Sequence, residues 1–387
     1  MPARRRGRAL RVLAVLLLPL LFFVRPGYAH LRAATFLMRF TSTEAPTGLG
    51  TFGAYAVDEE DTTLVAPTGL PIPARIYRPH GRTDAPGLVL AHGVHYKGIA
   101  EPRLQRFART IASSGVLVMT PELAELADYH IDPRTIDTIG QSALDLRTRV
   151  HRTSVGVMGL SFAGGLSMLA AADPRYASAV SFVVAVGAHD DLERVSRFFI
   201  DDQIPEVGGG ALAMKAHDYG AVVLVYGYVD HFFPARDVTN AREALRAWLH
   251  EDFDGARKKT AEAMSPEGKA KMQLIFDHRE DVLGPEIRGI ITEHAEAMKQ
   301  VSPHGNLAGL RARVYLLHGE GDNVIPPSET RWLAADAPPG SVQNALVSPA
   351  IQHVELHGEP SSREKFDLVH FMSQLLDEAE NESPSGG

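Results

Sequence analysis

Val155-Gly-Val-Met-Gly-Leu-Ser161-Phe-Ala-Gly-Gly165 decides the fold. Val155–Met158 is a short apolar run with turn residues on both sides, the pattern of a strand buried on both faces. Small residues from Ala163 to Ala172 then read as a helix packed closely behind it. Working outward, the same alternation repeats. Leu88–Ala91 lies between Pro86-Gly87 and His92-Gly93, Val116–Met119 ends at Pro121, and Ser181–Val186, Val314–Leu317 and Gln343–Val347 follow. Helical patterns separate them, and Pro73–Arg78 alternates like an antiparallel edge strand. This order predicts an α/β protein: a mostly parallel central sheet with helices on both faces, whose reactive groups sit beyond the carboxyl ends of the strands.

Between 193 and 307 the alternation stops. Helical periods cover Asn240–Glu251, Gly255–Leu274 and Pro285–Gln300, with Ala221–Val225 as the one candidate strand. The stretch reads as a helical lid inserted into the sheet pattern, with a separate domain as the alternative. The expected organisation is then 1–28 as signal peptide or signal anchor, 29–59 as linker, 60–192 and 308–380 as the two parts of the core, 193–307 as the insertion, and 381–387 as a disordered tail.

The leader rests on six arginines in the first 25 residues, five of them before and Arg25 after the apolar run Val12–Val24, which only Pro19 breaks. Thirteen residues are few for a bilayer span of roughly 20. A tilted single anchor that leaves the body outside the cytoplasm is favoured over export after cleavage near Gly27-Tyr28-Ala29. The 387-residue chain is 45% apolar and 22% charged, an ordinary globular balance. It holds no cysteine, which removes disulfides, thiolate metal sites and thiol nucleophiles together. Its net charge is −8, and the leader arginines are its densest basic feature, so the body is more acidic still and unsuited to nucleic acid.

The chemistry falls at strand ends. A nucleophilic serine needs a sharp strand-to-helix turn with small neighbours, and Gly159, Ala163 and Gly164 frame Ser161 that way. Ala163 stands where the G-x-S-x-G pattern has glycine. A base and an orienting acid must accompany the serine. Asp322 lies in the glycine-bearing turn His318-Gly-Glu-Gly-Asp322-Asn-Val-Ile-Pro326, and His353 follows the last strand run. His357 is the competing base, and Asp190, after Ser181–Val186, the reserve acid. His92 and His318 read as loop-shaping residues. His92-x-x-His95 lacks supporting carboxylates, so no metal is expected. Oxyanion donors are assigned to the backbone N–H groups of Phe162, just after the serine, and Val94, in the turn after Leu88–Ala91.

These turns together resemble the α/β-hydrolase superfamily, most of all dienelactone-hydrolase-like and acetyl-esterase-like bacterial hydrolases. The likeness spans about 60–192 and 308–380. It implies the α/β-hydrolase fold with an eight-stranded sheet, no cofactor, and an acyl-enzyme on Ser161 that cleaves carboxylic esters. Peptidases and acyltransferases use the same turns and are the alternative. A non-catalytic binding protein is less favoured, since Ser161, Asp322 and His353 are all present. Partners are then a small ester substrate, plus the membrane if the leader is retained. Tyr226, Tyr228, Phe232 and Phe233 are candidates for a pocket lining in the insertion, or for its ordinary core.

Overall fold

Along a strand successive side chains point to opposite faces, and in Leu88-Val-Leu-Ala91 both faces are apolar. A computed structural model of the chain describes residues 26–41, 47–66, 68–352, 355–356 and 361–381. Helix α1 (26–41) leads to β1 (Val57–Val65), β2 (Pro71–Pro79), β3 (Gly87–Ala91), α2 (Pro102–Ser113), β4 (Leu117–Pro121), α3 (Ala124–Ala127), α4 (Pro133–Arg149), β5 (Val155–Leu160), α5 (Phe162–Ala172) and β6 (Val180–Val186). A mostly helical stretch follows. It comprises α6 (Leu192–Asp201), the small hairpin β7 (Gln203–Pro205) and β8 (Ala211–Ala213), and α7 (Tyr219–Gly227), α8 (Val229–Phe232), α9 (Val238–Leu249), α10 (Phe253–Ala263), α11 (Pro266–Phe276), α12 (Glu280–Glu293) and α13 (Ala295–Lys299). The chain returns through β9 (Arg313–Gly319), α14 (Ser328–Asp336), β10 (Val342–Ser348), the short hairpin β11 (Ile351–Gln352) and β12 (Glu355–Leu356), and α15 (Ser362–Glu380).

Eight strands form one sheet in the order β1-β2-β4-β3-β5-β6-β9-β10. β1 and β2 pair antiparallel, as do β2 and β4, and the remaining pairs are parallel. The two faces bury different sets of residues. Val89, Val157, Val183 and Leu316 pack with α4, α5 and the helical stretch. Leu90, Met158, Val184 and Leu317 pack with α1, α2 and α15. Each of the six apolar strand runs read from the sequence lies in a strand of this sheet, apart from Val116, which precedes β4.

Five readings change. The helix read as Pro285–Gln300 starts at Glu280 and breaks at His294. Pro73–Arg78 is in β2, one place in from the edge; the edge strand is β1, whose mostly exposed, charged sequence carries no apolar face. The stretch 29–59, read as linker, contains most of α1 and the start of β1. Ala221–Val225 is helix α7 rather than strand. Gly255–Leu274 breaks into two helices where Ser265 caps the second and Pro266 starts it. Asn381 caps α15; 382–387 and residues 1–25 of the expected 1–28 leader lie outside the described residues, and 26–28 begin α1. Among the described residues no helix is long and apolar enough to cross a membrane.

Helices α1 and α15 are fastened to one layer. Arg39, almost wholly buried, donates to Gly50 O (3.1 Å) and Ser114 Oγ (2.8 Å). Arg32 reaches Ser114 O (2.9 Å) and Glu380 Oε1 (3.2 Å). Arg82 grips Glu380 with both terminal nitrogens, at 2.9 and 2.6 Å. Burial alone would push the Glu380 carboxyl up, but the Arg82 hydrogen bonds, reinforced by the charges of Arg82 and Arg32, hold it below its ordinary value. A carboxylate with a lowered folded pKa stabilises fully above its unfolded pKa and loses that contribution as the pH falls through the folded one. Glu380→Gln is therefore expected to cost about 1–2 kcal/mol at neutral pH, and the gap to the native chain should close in acid, once the pH has fallen through the lowered carboxyl pKa. Urea unfolding of both proteins at the two pH values checks this; a gap that persists in acid would contradict the pairing.

Candidate functional site

At the end of β5 the backbone turns sharply into α5, and Ser161 takes φ +55° and ψ −134°. Few non-glycine residues adopt positive φ, and such strain clusters at functional sites. The turn is held by Ser161 N–H donating to Val186 O (2.7 Å) and by Gly164 N–H donating to Ser161 O (2.8 Å). Its tightness explains the small residues: a Cβ at Gly159 would run into the Ala163 carbonyl oxygen. Alanine is accommodated at Ala163, which is fully buried.

The His92–Val94 loop after β3 closes on the same point. A Cβ on Gly93 would stand 3.0 Å from Ser161 Cβ and 3.2 Å from Leu160 O, so glycine is what permits this approach. His92 braces the loop. Its Nε2 accepts from Leu123 N–H (3.0 Å), which leaves the proton on Nδ1, donated to Gly93 O (2.8 Å). Burial holds its pKa below the ordinary imidazole value, so it stays neutral in this role. With both ring nitrogens engaged, it has none left for a metal.

Two strands along the sheet, Asp322 is fully buried in the turn beyond β9. Its Oδ1 accepts the N–H groups of Val324 (2.9 Å) and Ile325 (3.1 Å). His318 fixes that turn, bonding Thr330 Oγ1 (2.7 Å) and Ile325 O (2.8 Å), with Asp322 Oδ2 3.5 Å from its Nε2. The helical stretch is tied here as well, since His217 N–H donates to Asn323 O (2.8 Å). His353 and His357, the two candidate bases, lie outside the described residues. Asp190, the reserve acid, is occupied elsewhere. It is buried and paired with Arg194 (2.9 Å), which also binds Glu329 (2.6 Å), and burial raises its pKa to about 7. The neighbouring Asp191 caps α6 through Glu193 and Arg194 N–H.

Two cavities share Val94 and Tyr219 as borders, and the larger of them reaches Ser161 and Gly93. The larger, about 400 Å³, is bordered by Ser161, Val94 and Tyr219, and runs along the sheet face covered by α1, α2 and α15. The smaller, about 190 Å³, is bordered by Val94, Phe162 and Tyr219 and lies under the helical stretch, with Phe199, Val223 and Tyr228. Tyr219 and the walls from α1 had no signal in the sequence. Burial raises the Tyr219 phenol pKa, and the Asp322 charge adds to it. Of the four aromatics read as pocket lining, Tyr228 alone borders either of these two cavities. Tyr226, Phe232 and Phe233 are core, and Tyr226 OH bonds Asp128 (2.8 Å). Two clusters of metal-ligand type occur among the described residues, His231/Glu293/His294 and Asp190/His304/Asp336. Neither includes Ser161 or Asp322.

No protein-family model matches the sequence, and no curated protein does. Solved structures are similar in shape. Puromycin hydrolase aligns at TM-score 0.51 and 16% identity, over 89% of this chain and 42% of that one. The uncomplexed acylaminoacyl peptidase of Pyrococcus horikoshii aligns at 0.50 and 13%, over 89% and 45%. An esterase from Pyrobaculum calidifontis aligns at 0.44 and 16%, over 86% and 88%. The first two show a shared fold, and the chain spans less than half the length of each.

Gly93→Ala should press the loop and Ser161 apart. Fluorophosphonate labelling of Ser161 is expected to slow by about tenfold or more, because small misplacements of reacting groups are costly, with little change in melting temperature. An unchanged labelling rate would mean the loop does not serve Ser161.

Proposed function

Because the chain has the α/β-hydrolase fold, we propose that it is a serine hydrolase that cleaves carboxylic esters through an acyl-enzyme on Ser161. One observation carries the reading: Ser161 sits on a strained strand-to-helix turn, with the Gly93 loop pressed against it and an apolar cavity opening at it. In this reading Ser161 Oγ attacks the ester carbonyl carbon while His353 takes its proton, and Asp322 orients the imidazole and stabilises its charged form. The Phe162 N–H, at the first position of α5 where no intrahelical acceptor exists, and the Val94 N–H hold the oxyanion. Collapse expels the alcohol, which takes the proton from His353; water then releases the acid by the same route.

The helical stretch acts as a lid over the smaller cavity, excluding water from the acyl-enzyme. Its tie from His217 to Asn323 supports this by linking lid position to the acid's turn. The basic, apolar N-terminus holds the body at the outer face of a membrane. Neither role needs a metal or cofactor.

The native protein should be labelled by a fluorophosphonate and should hydrolyse aryl esters. Ser161→Ala should lose labelling and at least about 10⁴-fold in kcat. His353→Ala should lose comparable turnover, whereas His357→Ala should retain it. The reverse pattern would transfer the base to His357. Turnover of aminoacyl amides in preference to esters would point to a peptidase, and no labelling of well-folded protein would end the hydrolase reading.

A further inference from the structure

The geometry points to an acyl-chain site in the larger cavity, walled by the N-terminal helix, so that the substrate's acyl part is a long saturated or near-saturated hydrocarbon chain. The inference rests on the ester-hydrolase reading and names the substrate class for it. The smaller cavity under the helical stretch then takes the leaving group.

Three observations carry it. First, the space lies inside the apolar layer between the sheet and α1, α2 and α15, with Phe36, Phe40, Leu104, Met158, Leu368 and Leu375 on its walls. Ligand sites are concave and mostly apolar with a few placed polar groups, and a partly open, mostly apolar cleft of about 400 Å³ that reaches the Ser161 hydroxyl has that form. Secondly, the polar groups stand at two places, away from the sheet and α15. His92, His95, Ser161 and Tyr219 lie at the serine end, and Glu101, Arg103 and Arg106 at the start of α2, with Arg103 and Arg106 exposed, while the strand and α15 walls are hydrocarbon. A polar or branched acyl group would find no partners there, whereas a methylene chain loses only water. Thirdly, the wall is fixed. Arg39, Arg32 and the Glu380 clamp hold α1 and α15 in place, and Phe40 packs on Phe107 at 5.1 Å.

Both cavities touch Val94 and Tyr219, which separate them beside Ser161. An ester carbonyl placed at Ser161, with its oxygen toward the Val94 and Phe162 amides, can send its acyl chain to one side and its alcohol to the other. Chain-length preference is therefore set by α1 and α15, not by the helical insertion.

The test uses p-nitrophenyl esters of straight-chain acids from acetate to palmitate, below their micelle concentrations. In the native protein kcat/KM should climb with chain length by up to about fourfold per methylene, the equivalent of about 0.8 kcal/mol per buried CH₂. It should then level off where the cavity is filled. Leu375→Trp should move the preferred length down and Phe40→Ala should move it up, judged by the ratio of long- to short-chain kcat/KM. Binding is read separately, by titrating the Ser161→Ala protein with fatty acids of rising length and following its melting temperature. Stabilisation that grows with length supports the site even if Leu375→Trp fails to fold. Ester turnover that is flat across chain lengths, with no length-dependent stabilisation, overturns the inference while leaving the hydrolase reading intact. Stabilisation by fatty acids with no ester turnover would do the opposite, keeping the acyl site and removing the enzyme.

Discussion

The backbone at Ser161 cannot relax without moving three other elements. Holding a non-glycine residue at φ +55° costs on the order of 1–3 kcal/mol, and the cost persists only because the surroundings over-determine the turn. Val186 on β6 accepts the Ser161 N–H, the helix behind is packed through small residues, and the Gly93 loop fills the remaining side. The sheet order matters for the same reason. β5 lies in the middle with β3 on one flank and β6 on the other, so the loops beyond both neighbours converge on the serine.

Charge placement follows from that convergence. Asp322 has no exposure, yet two backbone amides satisfy one of its oxygens, so its carboxylate is held in a fixed direction. Asp190, equally buried and one strand nearer, is tied up with Arg194 and Glu329. Two buried acids beyond neighbouring strands thus have distinct employments: one is locked into an ion cluster with Arg194 and Glu329, and the other sits in the turn beyond β9, where its charge acts on Tyr219. The same economy applies to His92 and His318, whose rings are spent on bracing turns.

How much of this was legible depended on whether burial leaves a local pattern. Leu88–Ala91, Val155–Met158 and Ser181–Val186 are apolar on both faces, which only a doubly covered strand requires, so the sheet could be read. The turns at Ser161, Val94 and Asp322 were legible because tight geometry demands glycine and small residues nearby. β1 was not, since Val57–Val65 is an exposed edge rich in acids and threonine. Ala221–Val225 is a short apolar run, and such runs do not distinguish strand from buried helix. The start of α12 was misjudged because Pro285 reads as a helix beginning, yet it sits inside a helix that starts at Glu280. The large cavity had no signature at all. Its walls come from residues more than 300 positions apart, Phe36 and Leu375, and a cavity is made by what neighbouring side chains fail to fill.

That separation has a consequence for biogenesis. The serine turn and the central strands are complete once the ribosome has passed β9, but the face bearing Leu90, Met158 and Val184 has only α1 and α2 to cover it until the later helix α15 is made. α1 precedes every strand of the sheet and must wait for its partner. Nascent chains of this kind expose part of an apolar sheet surface until α15 docks, a state prone to self-association. Stalling or premature termination before α15 is complete would release a product with its upper machinery assembled and its underside partly open, and quality-control factors rather than catalysis would decide its fate.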